Sequence, residues 1–275
     1  MFNIMTIDLE EWFHANYHED LFDTNKAYKV RVLDNTYKML KHFDENNTKA
    51  TFFVLGYIAE KHKMLIKDIH EAGHEIASHG TSHSLVYKQT KEEFRNDVYK
   101  SRVILENIVQ KNIKGYRAPS WSITNRSMWG LEILHELGFI YDSSIFPMKT
   151  FLYGIEGAPR FINRPMINDK ECSLYEIPPS TFKILKKTMG FSGGFFMRAL
   201  PFPIIRILTD KVNKQEQNPV IFYLHPREID KNQPRLRLKP MEYVIHYLNI
   251  NSCENKLVKI LRTYPCTSIE KYYNF

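Results

Sequence analysis

The sequence GHEIASHGTSH, residues 73–83, places three histidines and one glutamate in a short stretch of chain. Its run HEIAS (74–78) is typical of a short strand, and His79 would follow directly after the strand end. The start resembles the helix signature of zinc proteases, but that signature requires a second histidine four residues after His74, and the next histidine comes one position later. His79 and His83 are four apart, a spacing that suits two ligands of one metal ion. Surface histidines near a strand end are the alternative interpretation.

The composition is that of an ordinary globular protein: 275 residues, 43% hydrophobic and 25% charged. This length suits one large α/β domain or two small ones. No apolar run reaches the twenty residues of a membrane span, and the start MFNIMTIDLEEW has no secretory signal pattern. Three widely spaced cysteines, Cys172, Cys253 and Cys266, resemble neither a disulfide framework nor a zinc knuckle. We therefore expect a cytoplasmic protein, with peripheral contact to the inner membrane face as a further expectation.

The formal net charge is +7, and the densest basic groups are KILKK (183–187) and PRLRLK (234–239). Short runs of this kind usually form a solvated face, and no nucleic-acid-binding motif accompanies them. An acidic glycan or an anionic membrane surface fits this charge equally well. We therefore expect no nucleic-acid partner, and we leave open whether the chain forms a homo-oligomer.

Short apolar runs alternate along the chain with longer segments of helical periodicity. Strands that alternate with helices indicate an α/β fold with a mostly parallel sheet. About seven such units in this length favour a barrel over an open sheet. The predicted strands are 2–7, 50–55, 74–78, 113–117, 139–143, 174–178 and 220–224. The predicted helices include 28–46, 57–72, 91–110, 125–137, 202–216 and 240–262, and Pro203 suits the first turn of its helix.

Polar side chains follow or end five of the predicted strands. In parallel α/β barrels, reactive groups gather at the C-terminal ends of the strands, on one face of the barrel. Each residue alone could be an ordinary loop residue, but five strand ends with ionisable groups indicate a shared site. These residues are Asp8 and Glu10, His79, Arg117, Asp142 and His225.

The stretch TIDLEEW (6–12) contains three carboxylates that point in different directions. Side chains at i and i+2 share one face of an extended chain, so Asp8 and Glu10 can face the same cavity. Glu11 should point elsewhere, as a surface or strand-end charge. Two imidazoles and one carboxylate around an open position are typical of a catalytic metal site, and the ligands would be Glu10, His79 and His83.

The remaining groups of this set suit the hydrolysis of an amide. Asp8 would act as a base on water at the metal, and Arg117 would keep Asp8 ionised and oriented. His225, after another strand, could supply the proton that a leaving amine needs. The set therefore predicts metal-assisted hydrolysis of an amide.

Five stretches resemble, in order, the motifs of polysaccharide deacetylases of the NodB-homology type, carbohydrate esterase family 4. They are TIDLEEWF (6–13), HEIASHGTSH (74–83), GYRAPSWSI (115–123), YDSSIFP (141–147) and FYLHP (222–226). Four further stretches resemble the subgroup with a C-terminal extension, of the DUF3473 type: YGIEGAPRF (153–161), FSGGFFMRALP (191–201), HPREIDKNQPR (225–235) and HYLN (246–249). The resemblance covers nearly the whole chain and implies a single domain, 1–275, with the extension inside residues 150–275.

This resemblance implies a distorted (β/α) barrel, a divalent metal, and removal of an N-acetyl group from an amino sugar of a bacterial glycan or its precursor, which could be lipid-linked. Asp8 matches the catalytic base, Arg117 the arginine that orients it, and His225 the catalytic acid. His79 and His83 match the metal histidines. Most members have two adjacent aspartates where this chain has Leu9 after Asp8, and the Asp-x-Glu form of some members assigns the third ligand to Glu10.

Several further residues carry weaker expectations. Asp142 matches the fourth motif only loosely, so it would either tune His225 or cap a loop. Arg227 stands where the subgroup often has tryptophan and could change the rim of the groove. Candidate substrate contacts near the strand ends, besides Asp142, are Trp121, Pro119 and Tyr116. Trp121 and Trp12 could stack on sugars or simply pack, and Tyr116 could also pack inside the barrel. His14, His18 and His74 are expected to be structural or surface residues.

Alternatives remain open for the identity of the metal ion and for the reaction. Two imidazoles and a carboxylate favour Zn²⁺, although iron, cobalt, nickel and manganese accept similar ligands. One rival function is hydrolysis of small linear or cyclic amides on the same barrel. Another is a catalytically silent glycan-binding protein, which should have lost its base or its acid. Asp8 and His225 are both present, which favours an enzyme.

Overall fold

The computed structural model describes residues 1–16, 29–167, 170–185 and 187–275. Among the described residues, one curved sheet contains eight strands that pair in parallel, and seven of them lie side by side in one continuous order. In spatial order these strands are β11 (Ile221–Leu224), β1 (Asn3–Leu9), β2 (Thr51–Val54), β3 (Glu75–Ser78), β4 (Gly115–Tyr116), β5 (Tyr141–Asp142) and β8 (Tyr175–Glu176). All seven strands predicted from the sequence, and the parallel α/β class, are confirmed.

Helices connect these strands and cover the outer face of the sheet. They are α1 (Val32–Glu45), α2 (Gly56–Lys61), α3 (Lys63–Glu71), α4 (Lys91–Val109), α5 (Trp129–Glu136), α6 (Gly194–Ala199), α7 (Phe202–Lys214), α8 (Pro240–Tyr247), α9 (Ile250–Thr263) and α10 (Ile269–Tyr273). A short strand, β12 (Cys266–Thr267), pairs with the start of β1. Two antiparallel hairpins lie outside the sheet: β6 (Met166–Ile167) with β7 (Lys170–Glu171), and β9 (Thr181–Ile184) with β10 (Lys187–Gly190).

The two faces of β1 show how the sequence builds the barrel. Met5 and Ile7 belong to the large apolar cluster between the sheet and the helices, whereas Ile4 belongs to a smaller cluster inside the barrel, with Phe53 and Tyr141. Both faces of the strand are buried, so it forms from an almost continuously apolar run. Since side chains alternate along a strand, Asp8 has the same direction as Ile4. This alternation brings a carboxylate to the top of the barrel interior.

The barrel is distorted because β8 and β11 do not pair directly in the part of the chain that the structure describes. The amide of Ile221 donates to Ser180 Oγ at 2.8 Å, and Ser192 Oγ donates to the carbonyl of Ser180 at 3.0 Å. The amide of Tyr223 then donates to the carbonyl of Ser192 at 3.3 Å. Two serines thus span the gap between the edge strands, and the predicted distorted (β/α) barrel is confirmed.

Some boundaries differ from the sequence prediction. The predicted helix 57–72 is interrupted at His62, where φ is −132° and ψ is 51°, so it forms α2 and α3. The predicted helix 240–262 is likewise interrupted before α9, where Asn249 adopts a left-handed conformation with φ of 51°. Apolar residues continue on both sides of each break, which is why the sequence pattern alone did not reveal the interruptions. The two hairpins and β12 are too short to give a clear period.

Among the described residues, no helix combines the length and apolar character needed to cross a membrane. The three cysteines are free, in agreement with the prediction that they form no disulfide framework.

Candidate active site

The predicted polar residues meet at the C-terminal ends of neighbouring strands. Asp8 lies on β1 and Glu10 just after it, while His79, Arg117 and His225 directly follow β3, β4 and β11. All of them except Arg117 line a cavity of about 110 Å³, whose wall also includes His83 and Trp121. This cavity shares His14, Ala15, Asn16 and His83 with a wider groove of about 1010 Å³. A long ligand could therefore enter the cavity from the groove.

Glu10, His79 and His83 are buried, and each offers one ligand atom within 4.8 Å of the others. Glu10 Oε2 lies 2.6 Å from His83 Nε2 and 3.8 Å from His79 Nε2. His79 Nδ1 donates to the carbonyl of Arg117 at 2.7 Å, which leaves the lone pair of Nε2 directed at the carboxylate. Burial raises the pKa of Glu10, but His83 and His225 outweigh it and hold that pKa well below its usual value. These donors fit a divalent ion such as zinc.

Asp8 is held by a fully buried arginine. Arg117 Nη1 donates to Asp8 Oδ1 at 2.6 Å and to Thr6 Oγ1 at 3.0 Å, and its Nη2 donates to Ser143 Oγ at 2.9 Å. The guanidinium also lies 4.0 Å from the centre of the Phe53 ring. Because both side chains are buried, this ion pair fixes the position of the Asp8 carboxylate beside the cavity.

His225 faces both carboxylates. Its Nε2 lies 3.7 Å from Asp8 Oδ2 and 3.7 Å from Glu10 Oε1. On the other side of the ring, Nδ1 lies 3.3 Å from Glu228 Oε2. Burial alone would lower the pKa of His225, but Glu10 and Glu228 outweigh burial and raise it. The imidazole is therefore favoured in the protonated form, with one N–H directed into the cavity.

Glu228 and Arg198 form a buried support behind His225 that the sequence analysis missed. Arg198 Nε donates to Glu228 Oε1 at 3.0 Å, and its other nitrogens donate to the carbonyls of Ile245 and Leu248 at 2.6 and 2.8 Å. Burial would raise the pKa of Glu228, but its hydrogen bond to His225 and the nearby charges lower it to about 2. The sequence contains one sign of the contact between His225 and Glu228. Glu228 comes three residues after His225, in a turn that begins with Pro226.

Two other predicted site residues, Asp142 and Tyr116, do not line the cavity. Asp142 is fully buried and accepts hydrogen bonds from the amide and hydroxyl of Ser144, so it caps a loop. Its carboxyl is paired with that of Glu176, and burial raises the pKa of both. Tyr116 packs against Phe94 and Phe139 between the sheet and the helices, and not inside the barrel.

Trp121 forms part of the cavity wall, and Pro119 begins the short turn that carries it. The Trp121 ring packs edge-to-face on Tyr223 and Phe146, with centroids 4.6 and 5.4 Å apart. Ser120 and Trp121 both adopt left-handed conformations, with φ of 52° and 48°. Such strained backbone concentrates at binding and catalytic sites. The Nε1 of Trp121 is buried and has no hydrogen-bond partner among the described residues.

Two further candidates have different locations. Trp12 is buried outside the cavity, and its Nε1 donates to the carbonyl of Lys29 at 3.0 Å, so it is a packing residue. Arg227 lines the cavity. His74 accepts a hydrogen bond from the amide of Ala50 at 3.0 Å and is structural. His14 stacks on His83, with centroids 5.3 Å apart, and so lies beside the candidate metal ligands. His18 lies outside the described residues.

Glu11 points away from the cavity, as its strand position predicts, but it is buried and not a surface charge. Its Oε1 accepts hydrogen bonds from the amides of Arg31 and Val32 at 3.0 and 3.2 Å, at the start of α1. Burial raises its pKa.

We expect Glu11→Ala to lower the free energy of unfolding by about 1–3 kcal/mol, because buried amides at the start of α1 lose their acceptor. Urea unfolding measures this change. Glu45→Ala, at the exposed end of the same helix, is the control and should stay within about 0.5 kcal/mol of the parent. Equal effects of the two substitutions would contradict the helix-anchoring role of Glu11.

Two family models match adjoining parts of the chain. Residues 21–141 match "Polysaccharide deacetylase", and residues 143–274 match "Domain of unknown function (DUF3473)". Among curated proteins, a peptidoglycan-N-acetylglucosamine deacetylase of Bacillus cereus is 37% identical over 101 residues, 36% of this chain and 37% of that protein. A peptidoglycan deacetylase of Helicobacter pylori is 28% identical over 156 residues, 53% of this chain and 52% of that protein. The matches thus span between about a third and half of these relatives.

Solved structures share the fold at low identity. The Bc1960 peptidoglycan N-acetylglucosamine deacetylase matches with a TM-score of 0.51 and 18% identity over 98% of this chain and 86% of that one. The Puue allantoinase matches with a TM-score of 0.61 and 14% identity over 94% and 82%. A carbohydrate esterase family 4 pseudoenzyme of Bacillus anthracis matches with a TM-score of 0.51 and 12% identity over 98% and 64%.

These structural likenesses extend from deacetylases to an allantoinase and a pseudoenzyme, so they establish the barrel and not the reaction. The family itself is established by the two adjoining model matches and the curated relatives. The chain belongs to the polysaccharide deacetylases of the NodB-homology type, carbohydrate esterase family 4, in the subgroup with a DUF3473 extension.

Proposed function

We propose that this protein is a metal-dependent hydrolase that removes N-acetyl groups from the amino sugars of a glycan. The observation that carries this proposal is the position of His225, whose Nε2 lies 3.7 Å from both Asp8 and Glu10. A proton donor, a carboxylate base and a candidate metal site thereby surround one cavity. The adjoining groove of about 1010 Å³ favours a glycan over a small cyclic amide.

Glu10, His79 and His83 would hold the metal, which we propose to be zinc. When bound, a divalent ion supplies Lewis acidity to the amide carbonyl and to the attacking water. Asp8 accepts the proton of that water, and Arg117 keeps the Asp8 carboxylate in place. His225 donates its Nε2 proton to the departing amine, so the acetyl carbon–nitrogen bond breaks to give acetate and a free amino sugar.

Release of acetate from an N-acetylglucosamine oligomer, with and without a chelator, tests this function. Chelator-sensitive release is expected, together with little turnover of allantoin. Turnover of allantoin but of no glycan would favour the small-amide hydrolase. Glycan binding without any acetate release would favour the silent binding protein.

We expect His79→Ala to abolish stoichiometric metal binding and with it the release of acetate, because one of three ligands is lost. Metal analysis of the purified protein measures the first effect directly. His74→Ala is the matched control, since His74 contacts the amide of Ala50 and not the cavity. Full metal content in His79→Ala, or its loss in His74→Ala, would contradict the proposed ligand set.

We expect Glu228→Gln to lower turnover at neutral pH and to move the basic limb of the pH profile to lower pH. Glu228 raises the pKa of His225, so removal of this charge lets His225 lose its proton at a lower pH. Glu254→Gln is the control, because Glu254 pairs with Lys38 and His42 outside the cavity. An unchanged basic limb in Glu228→Gln would exclude this role for Glu228.

A further inference from the structure

Helix α8 presents apolar side chains to solvent beside the catalytic cavity. Met241 and Val244 are 70% and 42% exposed, and Ile245, on the same stripe of the helix, lines the cavity. Residues three and four apart share one side of a helix, so Met241, Val244 and Ile245 form a continuous apolar stripe. The opposite side of α8 is buried through His246 and Tyr247. The helix is therefore amphipathic with an apolar side that the protein core does not cover.

Basic side chains flank this stripe. Arg237 and Lys239 are exposed and immediately precede α8, whereas the guanidinium of Arg235 lies 4.3 Å from the centre of the Tyr247 ring, on the other side of the helix. The amide of Lys239 donates to Glu242 Oε2 at 3.0 Å, so the acidic residue of this region binds the first turn of the helix. Tyr243 is 44% exposed but lies on the other side of α8, where its ring centroid is 4.9 Å from that of Tyr247. Positive charge thus dominates around an exposed apolar centre.

Another exposed apolar residue lies next to a different part of the cavity wall. Leu152 lines the cavity, and its neighbour Phe151 is 80% exposed, with Lys149 exposed close by. Apolar side chains with basic neighbours therefore flank the cavity on two separate segments of the chain. The residues that combine these features are called here the mouth surface: Lys149, Phe151, Arg237, Lys239, Met241 and Val244.

We infer that the mouth surface docks onto a bilayer that contains anionic phospholipids. Apolar side chains with basic residues at their margin are the composition of segments that lie in the membrane interface. The charge is complementary to anionic headgroups, and the net charge of +7 has the same sign.

This inference extends the proposed function, and its consequence for the substrate rests on that function. Docking would place the cavity against the headgroup layer, so the N-acetylated sugar would be one that a membrane presents, such as a glycan on a lipid carrier. Docking itself requires no glycan and can be measured without one. The two proposals therefore fail independently.

The test is flotation of the full chain with vesicles of phosphatidylcholine alone and of phosphatidylcholine with phosphatidylglycerol. We expect flotation with the anionic vesicles and much less with the neutral ones. Arg237→Gln/Lys239→Gln should weaken vesicle binding about tenfold or more, because each basic residue near the surface contributes to attraction. Met241→Ser/Val244→Ser should weaken it to a similar extent by removing the apolar contact.

Met64→Ser/Tyr99→Ser is the matched control, because it removes two exposed residues of α3 and α4 that do not line the cavity. This control should float like the parent, and all three variants should release acetate from a soluble oligomer at the parent rate.

Failure of the parent to float with anionic vesicles would overturn the inference, as would equal losses of flotation in the control and test variants. A dimer that Met241→Ser/Val244→Ser converts to a monomer, without a change in flotation, would assign the surface to a second copy of the chain. Flotation without acetate release would contradict the proposed deacetylase activity but not the proposed docking to the bilayer.

Discussion

Asp8→Asn lowers the rate of acetate release by about 10²–10⁴-fold and leaves the metal content unchanged, if Asp8 is the base of the reaction. Asparagine keeps the shape of the side chain but cannot accept a proton from water. The candidate metal ligands are Glu10, His79 and His83, so the metal should stay in place. Arg117 would remain buried beside a neutral partner, and we expect a loss of stability in addition to the loss of rate.

The measurement combines kcat on an N-acetylglucosamine oligomer with metal analysis and urea unfolding of the same preparation. Asp44→Asn on α1 is the matched control, since Asp44 is exposed and does not line the cavity. This control should keep the parent values of all three quantities. A fall in kcat that accompanies loss of metal would make Asp8 a ligand, and an unchanged kcat would remove it from the mechanism.

His225→Ala should also cost about 10²–10⁴-fold in kcat on an amide, because the departing amine then lacks its proton donor. The metal content should again be unchanged. An aryl acetate provides a sharper test, since its phenolate leaves without prior protonation. The loss caused by His225→Ala should therefore be much smaller on the aryl ester than on the N-acetylated oligomer.

Equal losses on the two substrates would show that His225 acts by positioning and not as the acid. Asp8→Asn/His225→Ala should cost less than the product of the two single effects, because base and acid serve one reaction path. Strictly multiplicative losses would mean that the two residues act in separate steps.

The sequence by itself predicted the strands, because a strand buried on both faces needs an apolar run that short-range patterns reveal. It also predicted that Asp8 and Glu10 face one side and Glu11 another, since successive side chains along an extended chain point to opposite faces. The spacing of His79 and His83 is likewise local. These predictions needed no knowledge of what the segments would contact.

Tertiary structure decided the contacts between residues distant in sequence. Asp8 and Arg117 are 109 residues apart, and Arg198 binds the carbonyl of Leu248 across 50 residues. The Glu228–Arg198 support, the stacking of His14 on His83 and the pairing of Asp142 with Glu176 depend on which elements pack together. The two broken helices and the exposed stripe of α8 were hidden for the same reason. Apolar periodicity reports that a helix has an apolar side, but only packing determines whether the protein core or the solvent meets it.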